Sequence, residues 1–165
     1  MMLIDTLANG LRVASRPMQS VETVAVGLYA PTGSRFEPAE RNGLAHLFEH
    51  MVFKGAGGRS AREISEAVED VGGEIKAATD RELTAFYASL LAPDLPLGVE
   101  LLASLVRRPH FEAAHLELEK KVVRQELAEA RDTASDIVFD HLQEAAFPGQ
   151  ANGRCPVPEL MQAGV

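Results

Sequence analysis

His46 and His50, with Glu49 between them, are the residues of this sequence whose types and spacing best suit chemistry. They lie in segment 43–55, where apolar residues recur at helical spacing and a glycine ends the pattern. Histidines four apart on a helix share one face, so both imidazoles can reach one metal ion. Glu49 falls on the flank of His46, close enough to contact a metal-bound water. H-x-x-E-H is the inverted zincin motif, and two His with a carboxylate form a catalytic zinc set that leaves a position open for water.

A structural interpretation of the same five residues stays open, because a His pair on a helix is usually a surface or core feature. A third ligand would distinguish the two interpretations. Glu126 follows His50 by 76 residues in a second strongly helical segment. Glu119 precedes Glu126 by seven residues, or two turns, which places both carboxylates on one helix face.

With these spacings, the chain resembles the pitrilysin-like inverzincin peptidases, and most closely processing peptidases of the β-subunit type and their bacterial homologues. The resemblance implies that one Zn²⁺ is bound by His46, His50 and Glu126. It also implies that Glu49 is the general base and that Glu119 supports the site. Peptide hydrolysis at zinc is therefore the expected activity.

The resemblance further implies an edge strand at Glu74–Thr79 that pairs with the substrate backbone, with Ala77 among its substrate-binding residues. Relatives usually have Asn at the position of Lys76 and an aromatic residue at that of Ala78, which are departures at the substrate edge. Phe53 matches an aromatic residue that lines a substrate pocket, although it also suits a core position.

Asp136 and Asp140 lie one helical turn apart and match an acidic pair that binds an arginine near the scissile bond. Two carboxylates on one face suit a guanidinium. A solvated helix surface is the alternative explanation of this pair.

The composition limits the classes of partner. The 165 residues have a net charge of −8, which argues against nucleic acid and anionic membrane surfaces as partners. Cys155 is the only cysteine, so no disulfide or thiolate zinc site is expected, and no apolar run is long enough to span a membrane. The N-terminus does not read as a leader sequence. A bacterial cytoplasmic protein is expected, with the mitochondrial matrix as the alternative.

Local patterns predict an α+β fold, a mostly antiparallel sheet covered by helices. The predicted strands are a hairpin centred on Asn9-Gly10, a strand at 23–30, and two more at 74–79 and 84–91. Ser60 and Glu63 form a capping box for a helix that ends at Gly72-Gly73, and Asp94 is expected to cap the next helix. Two more helices are predicted from residue 112 onward and over about 135–147.

We expect residues 1–165 to form a single N-terminal domain of the catalytic type, without the C-terminal part of that domain and without a second domain.

The leading hypothesis is a zinc endopeptidase that cleaves extended peptides with an arginine near the cut. A non-catalytic binding or assembly subunit, or a zinc-binding fragment without turnover, is the alternative. A second homologous domain or subunit is the expected partner, so we expect the isolated chain to bind zinc with little peptidase activity.

Overall fold

The computed structural model describes residues 1–154, without the side chain of Asp136. In chain order the elements are β1 Leu3–Thr6, β2 Arg12–Ser15, β3 Thr23–Ala30, α1 Leu44–Val52, β4 Gly55–Ala56, β5 Arg59–Ser60, α2 Ala61–Glu69, β6 Glu74–Thr79, β7 Thr84–Leu91, α3 Leu95–Arg107, α4 Ala113–Asp132 and α5 Ala134–Ala146. None of these helices is long and apolar enough to cross a bilayer.

A three-stranded antiparallel sheet in the order β3-β7-β6 is the platform of the fold. Along β3 and β6, half-buried and exposed residues alternate strictly, so one face packs on the core while the other faces solvent. The bounds of all three strands are those predicted from the sequence. In residues 1–154, β6 pairs with β7 alone, so β6 is an edge strand as expected.

The core lies between this sheet and the helices α1, α2 and α3. Buried Phe86, Ala88 and Leu90 of β7 face Leu101 and Leu105 of α3 in one cluster. Full burial of a side chain such as Leu105 stabilises the fold by about 1.5–3 kcal/mol. The predicted α+β class is therefore confirmed.

Close packing of α3 on the sheet depends on Gly98. A Cβ atom there would lie 2.5 Å from Cδ1 of Leu90. Since buried Leu90 cannot withdraw without leaving a void, any side chain at position 98 would push α3 away from the sheet.

The capping box that begins α2 is confirmed. The Ser60 hydroxyl accepts from the Glu63 N–H, and the Glu63 carboxylate accepts from the Ser60 N–H. The cap expected of Asp94 is wrong. Asp94 closes a 3₁₀ turn and its backbone is not extended, so its side chain makes no capping hydrogen bond to α3.

Two hairpins complete the described chain. β1 and β2 pair around Asn9-Gly10 as predicted, and every residue of these two strands is exposed. The short pair β4–β5 follows α1 and was not predicted, because two-residue strands lack a periodic signal.

Candidate metal centre

Helix α1 begins at a residue that only glycine occupies easily. Gly43 has a φ of 94°, in the left-handed region. The Glu37 carboxylate accepts hydrogen bonds from the backbone N–H groups of Gly43 and Ala45. These contacts satisfy two free donors of the first turn and place a negative charge at the positive end of the helix dipole. Glu37 thus fixes the start of the helix that bears both histidines.

Helices α1 and α4 pack together and bring the predicted ligands into one cluster. The Glu126 Oε2 atom lies 3.7 Å from His46 Nε2 and 3.4 Å from His50 Nε2. All three candidate ligand atoms lie within 4.8 Å of one another. Tetrahedral zinc with bonds near 2.1 Å separates its ligand atoms by about 3.4 Å. The cluster can therefore hold a small divalent ion after minor side-chain shifts.

The electrostatic environment keeps His46 ready to bind a metal. Burial lowers the pKa of His46, and the neighbouring His50 lowers it further, against the opposing effect of nearby carboxylates. The two imidazole rings meet edge to face with centroids 4.7 Å apart. A lowered pKa favours the neutral imidazole, which is the form that ligates metal.

Glu119 lies behind His50, away from the ligand atoms. Its Oε2 is 3.1 Å from Nδ1 of His50, and its Oε1 is 2.8 Å from Nζ of Lys54. Burial alone would raise the pKa of Glu119, but its hydrogen bonds with Lys54 and His50 outweigh burial and lower that pKa. Glu119 is therefore an anionic partner that accepts the Nδ1–H of His50 and leaves Nε2 free to bind.

Two polar atoms of α1 are buried without partners among the described residues, namely Oε2 of Glu49 and Nδ1 of His46. An orphaned buried carboxylate oxygen costs free energy unless the complete site gives it a partner. A water bound at the metal would give one to Glu49. The donor set of two imidazoles and a carboxylate also fits zinc.

The predicted substrate-binding residues lie elsewhere in the fold. Phe53 immediately follows α1 and packs half-buried against the core, and Ala77 lies half-buried on the core-facing side of β6. Asp140, on α5, makes an ion pair of 3.0 Å with the guanidinium of Arg81. The side chain of Asp136 lies outside the described part of the chain. The substrate roles of these four residues stay predictions.

Sequence reasoning missed three contributors, which are Glu37, Lys54 and Arg81. Each of them contacts a residue that is distant in the chain or that lies at a spacing no repeating pattern predicts. Lys54 offered the clearest signal, because it lies one helical turn after His50 and so on the same side of the segment.

Comparison with known proteins identifies the family to which this chain is similar. The family model described as insulinase (peptidase family M16) matches residues 12–155. A probable β subunit of the mitochondrial processing peptidase from Arabidopsis thaliana is 39% identical over 151 residues, which is 92% of this chain and 28% of that protein. Subunit 1 of the bovine cytochrome b-c1 complex is 40% identical over 146 residues, which is 88% of this chain and 30% of that protein.

A protease from Helicobacter pylori of known structure is similar in fold. The two structures superimpose with a TM-score of 0.91 and 23% sequence identity, and the match covers 98% of this chain and 40% of the protease. The chain thus spans less than half of the length of these similar proteins. Because the family match runs through nearly all of the described fold and includes the whole metal cluster, the chain belongs to the insulinase family of peptidases, M16.

Proposed function

We propose that this chain provides the zinc site of a metalloendopeptidase that cleaves extended peptides. The observation that supports it is the convergence of His46, His50 and Glu126 within 4.8 Å, beside a Glu49 carboxylate oxygen that has no partner in the described part of the chain. Zinc, when bound, supplies a Lewis acid that lowers the pKa of a coordinated water and polarises a peptide carbonyl.

Glu49 acts as the general base in this proposal. Its free carboxylate oxygen accepts a proton from the attacking water and then donates it to the amine that leaves. Glu119 keeps the N–H of His50 on Nδ1, so that the Nε2 lone pair remains available.

Within residues 1–154 one edge of β6 is unpaired, which supports binding of extended substrates, because an exposed strand edge pairs with any extended backbone. A preference for arginine near the cut would come from Asp136 and Asp140. Since Arg81 already contacts Asp140, a substrate guanidinium would share or displace that contact. Changing both aspartates to asparagine should reduce discrimination between arginine and neutral peptides by about ten- to a hundredfold. An unchanged ratio of kcat/KM values would mean that the pair is a solvated surface.

A second homologous domain or subunit completes the cleft in this proposal. The named relatives include subunits, and this chain spans under a third of their lengths. Activity is therefore measured with the chain alone and with a candidate partner. The cytoplasmic location stays a prediction, and of the similar proteins named above, the one from Arabidopsis thaliana and the bovine one are mitochondrial.

The deciding experiment combines metal content by mass spectrometry with peptide cleavage. The wild-type chain should contain one zinc, and Glu49→Gln should retain that zinc while losing hydrolysis. Glu66→Gln, which neutralises an exposed carboxylate on α2, is the matched control and should change neither. Loss of zinc in Glu49→Gln as severe as in His46→Ala would make Glu49 a ligand and would contradict the proposed mechanism.

A non-catalytic subunit is the second candidate, favoured by the 40% identity to a subunit of the cytochrome b-c1 complex. It predicts a folded chain that assembles with a partner without zinc-dependent hydrolysis. Hydrolysis by the zinc-loaded chain with its partner, lost in Glu49→Gln, separates the two candidates, because the four motif residues present here allow zinc to bind in either case.

A further inference from the structure

Lys54 lies just beyond α1, and its ammonium group contacts the metal centre without reaching a ligand. Its backbone N–H donates to the carbonyl of Met51, which continues the helical turn past Val52. The side chain therefore projects one turn beyond His50 toward the same partner. Its Nζ lies 2.8 Å from Oε1 of Glu119.

Glu119 is held at both carboxylate oxygens, one by His50 and the other by Lys54. A glutamate side chain rotates easily about its last torsion, so a single contact would leave the carboxylate plane undefined. The second contact fixes that plane. With Glu119 only 4% exposed, water cannot readily replace either partner.

We propose that Lys54 is a positioning residue of the metal centre. By fixing the Glu119 carboxylate, it orients the ring of His50 so that Nε2 faces Glu126, 3.4 Å away. This inference rests on the proposed zinc function of the site. Lys54 acts through Glu119, with which its ammonium group forms an ion pair, and not as a ligand.

The chain contains a matched control for this contact. Lys120 forms an ion pair of similar length with Glu117, at 2.9 Å on the same helix as Glu119, but Glu117 is 70% exposed. Lys120→Met removes the same charge and a similar ion pair on the same helix, and we expect it to leave the orientation of the His50 ring unchanged.

The experiment measures the zinc dissociation constant of the full chain by competition with a coloured chelator, and the visible spectrum of the Co²⁺-loaded chain. Lys54→Met should weaken zinc binding about tenfold, the lower end of the effect of outer-sphere partners, and alter the cobalt bands. Lys54→Arg, which keeps a cation, should lose less zinc affinity than Lys54→Met. Lys120→Met should match wild type in both measurements.

A double-mutant cycle tests whether Lys54 acts through Glu119. In the Glu119→Gln background, Lys54→Met should have little further effect on zinc affinity. Lys54→Met leaves a buried carboxylate without its cation. Lys54→Gln still donates a hydrogen bond to that carboxylate, so we expect its loss of zinc affinity to lie between those of wild type and Lys54→Met. A merely structural lysine would lower the stability of the fold and leave zinc affinity and the cobalt spectrum of the folded chain unchanged.

The outcomes separate this inference from the proposed function. Tight zinc binding by wild type and Lys54→Met alike, with identical cobalt spectra, would overturn only the role of Lys54. A loss of affinity that persists undiminished in the Glu119→Gln background would overturn it as well. Failure of the wild-type chain to bind zinc would refute the proposed function and this inference together.

Discussion

The acidic faces of α4 and α5 look alike in sequence, yet they meet different partners in the fold. On α4, Glu126 faces the Nε2 atoms of His46 and His50. On α5, Asp140 faces the guanidinium of Arg81. An imidazole can be neutral and donate a lone pair to a metal, whereas a guanidinium is always protonated and has none. The chemistry of an acidic helix face is therefore decided by the element packed against it.

Glu126 and Asp140 are similarly exposed, at 41% and 37%, but burial distinguishes Glu119 from Asp140. The Glu119 side chain on α4 is 4% exposed, whereas Asp140 on α5 is 37% exposed. Contacts to the first are shielded from water and define geometry, while the second pair is partly screened. Removing the Glu119 carboxylate should therefore lower the free energy of unfolding more than removing that of Asp140.

Glu126→Gln should have the largest effect, because it removes an anionic ligand. We expect zinc affinity to fall by more than the roughly 10–100-fold typical of outer-sphere changes. Mass spectrometry of the purified variant measures the occupancy. Glu129→Gln, one turn later on the exposed face of α4, is the control and should retain zinc. Full retention in Glu126→Gln would mean that the third ligand lies elsewhere.

Glu119→Gln should lower the free energy of unfolding of the metal-free chain by about 1–3 kcal/mol at neutral pH, because it weakens two buried charge-assisted contacts. The folded-state pKa of Glu119 is lowered, so its stabilising contribution is complete above the ordinary pKa of glutamate. That contribution is lost as the pH falls through the lowered pKa, below about pH 4.3. Urea unfolding at several pH values should show the two proteins converge in acid. A constant difference would contradict the assigned ionisation.

Acidification should weaken zinc binding, because protons compete with the metal for the imidazoles. Each protonating histidine contributes about a tenfold loss of affinity per pH unit below its pKa. Since the pKa of His46 is lowered by burial and then by His50, its protonation should begin at a lower pH than that of an exposed histidine. Zinc titrations between about pH 7 and pH 5 test this. NMR titration of the His46 ring in the metal-free chain assigns the change to that residue, and a midpoint above that of an exposed histidine would contradict the lowered pKa.

Asp140→Asn should have the smallest effect, a loss of about 0.2–1 kcal/mol in the free energy of unfolding, as for a partly exposed ion pair. Urea unfolding measures it, and zinc content should not change. A loss comparable to that of Glu119→Gln would show that the α5 pair is as shielded as the α4 pair, and the comparison would fail.

Local patterns predicted most of the fold. The bounds of β3, β6 and β7 follow from apolar runs that end at turn residues or charged residues, and the capping box of α2 follows from two residues three apart. The end of α2 at Gly72-Gly73 is also consistent, because the N–H groups of these glycines bond to carbonyls of the last turn. Asp94 failed as a cap because the preceding 3₁₀ turn, which no periodicity announces, sets its backbone.

The ligand cluster was predictable because its spacing is a property of single helices combined with one family resemblance. Contacts between distant segments were not. Glu37 bonds to the start of α1 from a loop six residues earlier, outside any capping pattern, and Arg81 reaches Asp140 across 59 residues. The Arg81 contact depends on how the sheet and helices pack, which no local window contains, whereas the Glu37 contact is local but matches no capping pattern.

The 76-residue separation between His50 and Glu126 has a consequence for folding. A metal ion held by both residues would act as a removable cross-link around a loop that includes β6, β7 and α3. In an unfolded chain that retained the ion, this link would restrict the loop's conformational freedom, as a disulfide does. Chelation would then remove the Lewis acid used in hydrolysis and also the cross-link between the first and second halves of the fold.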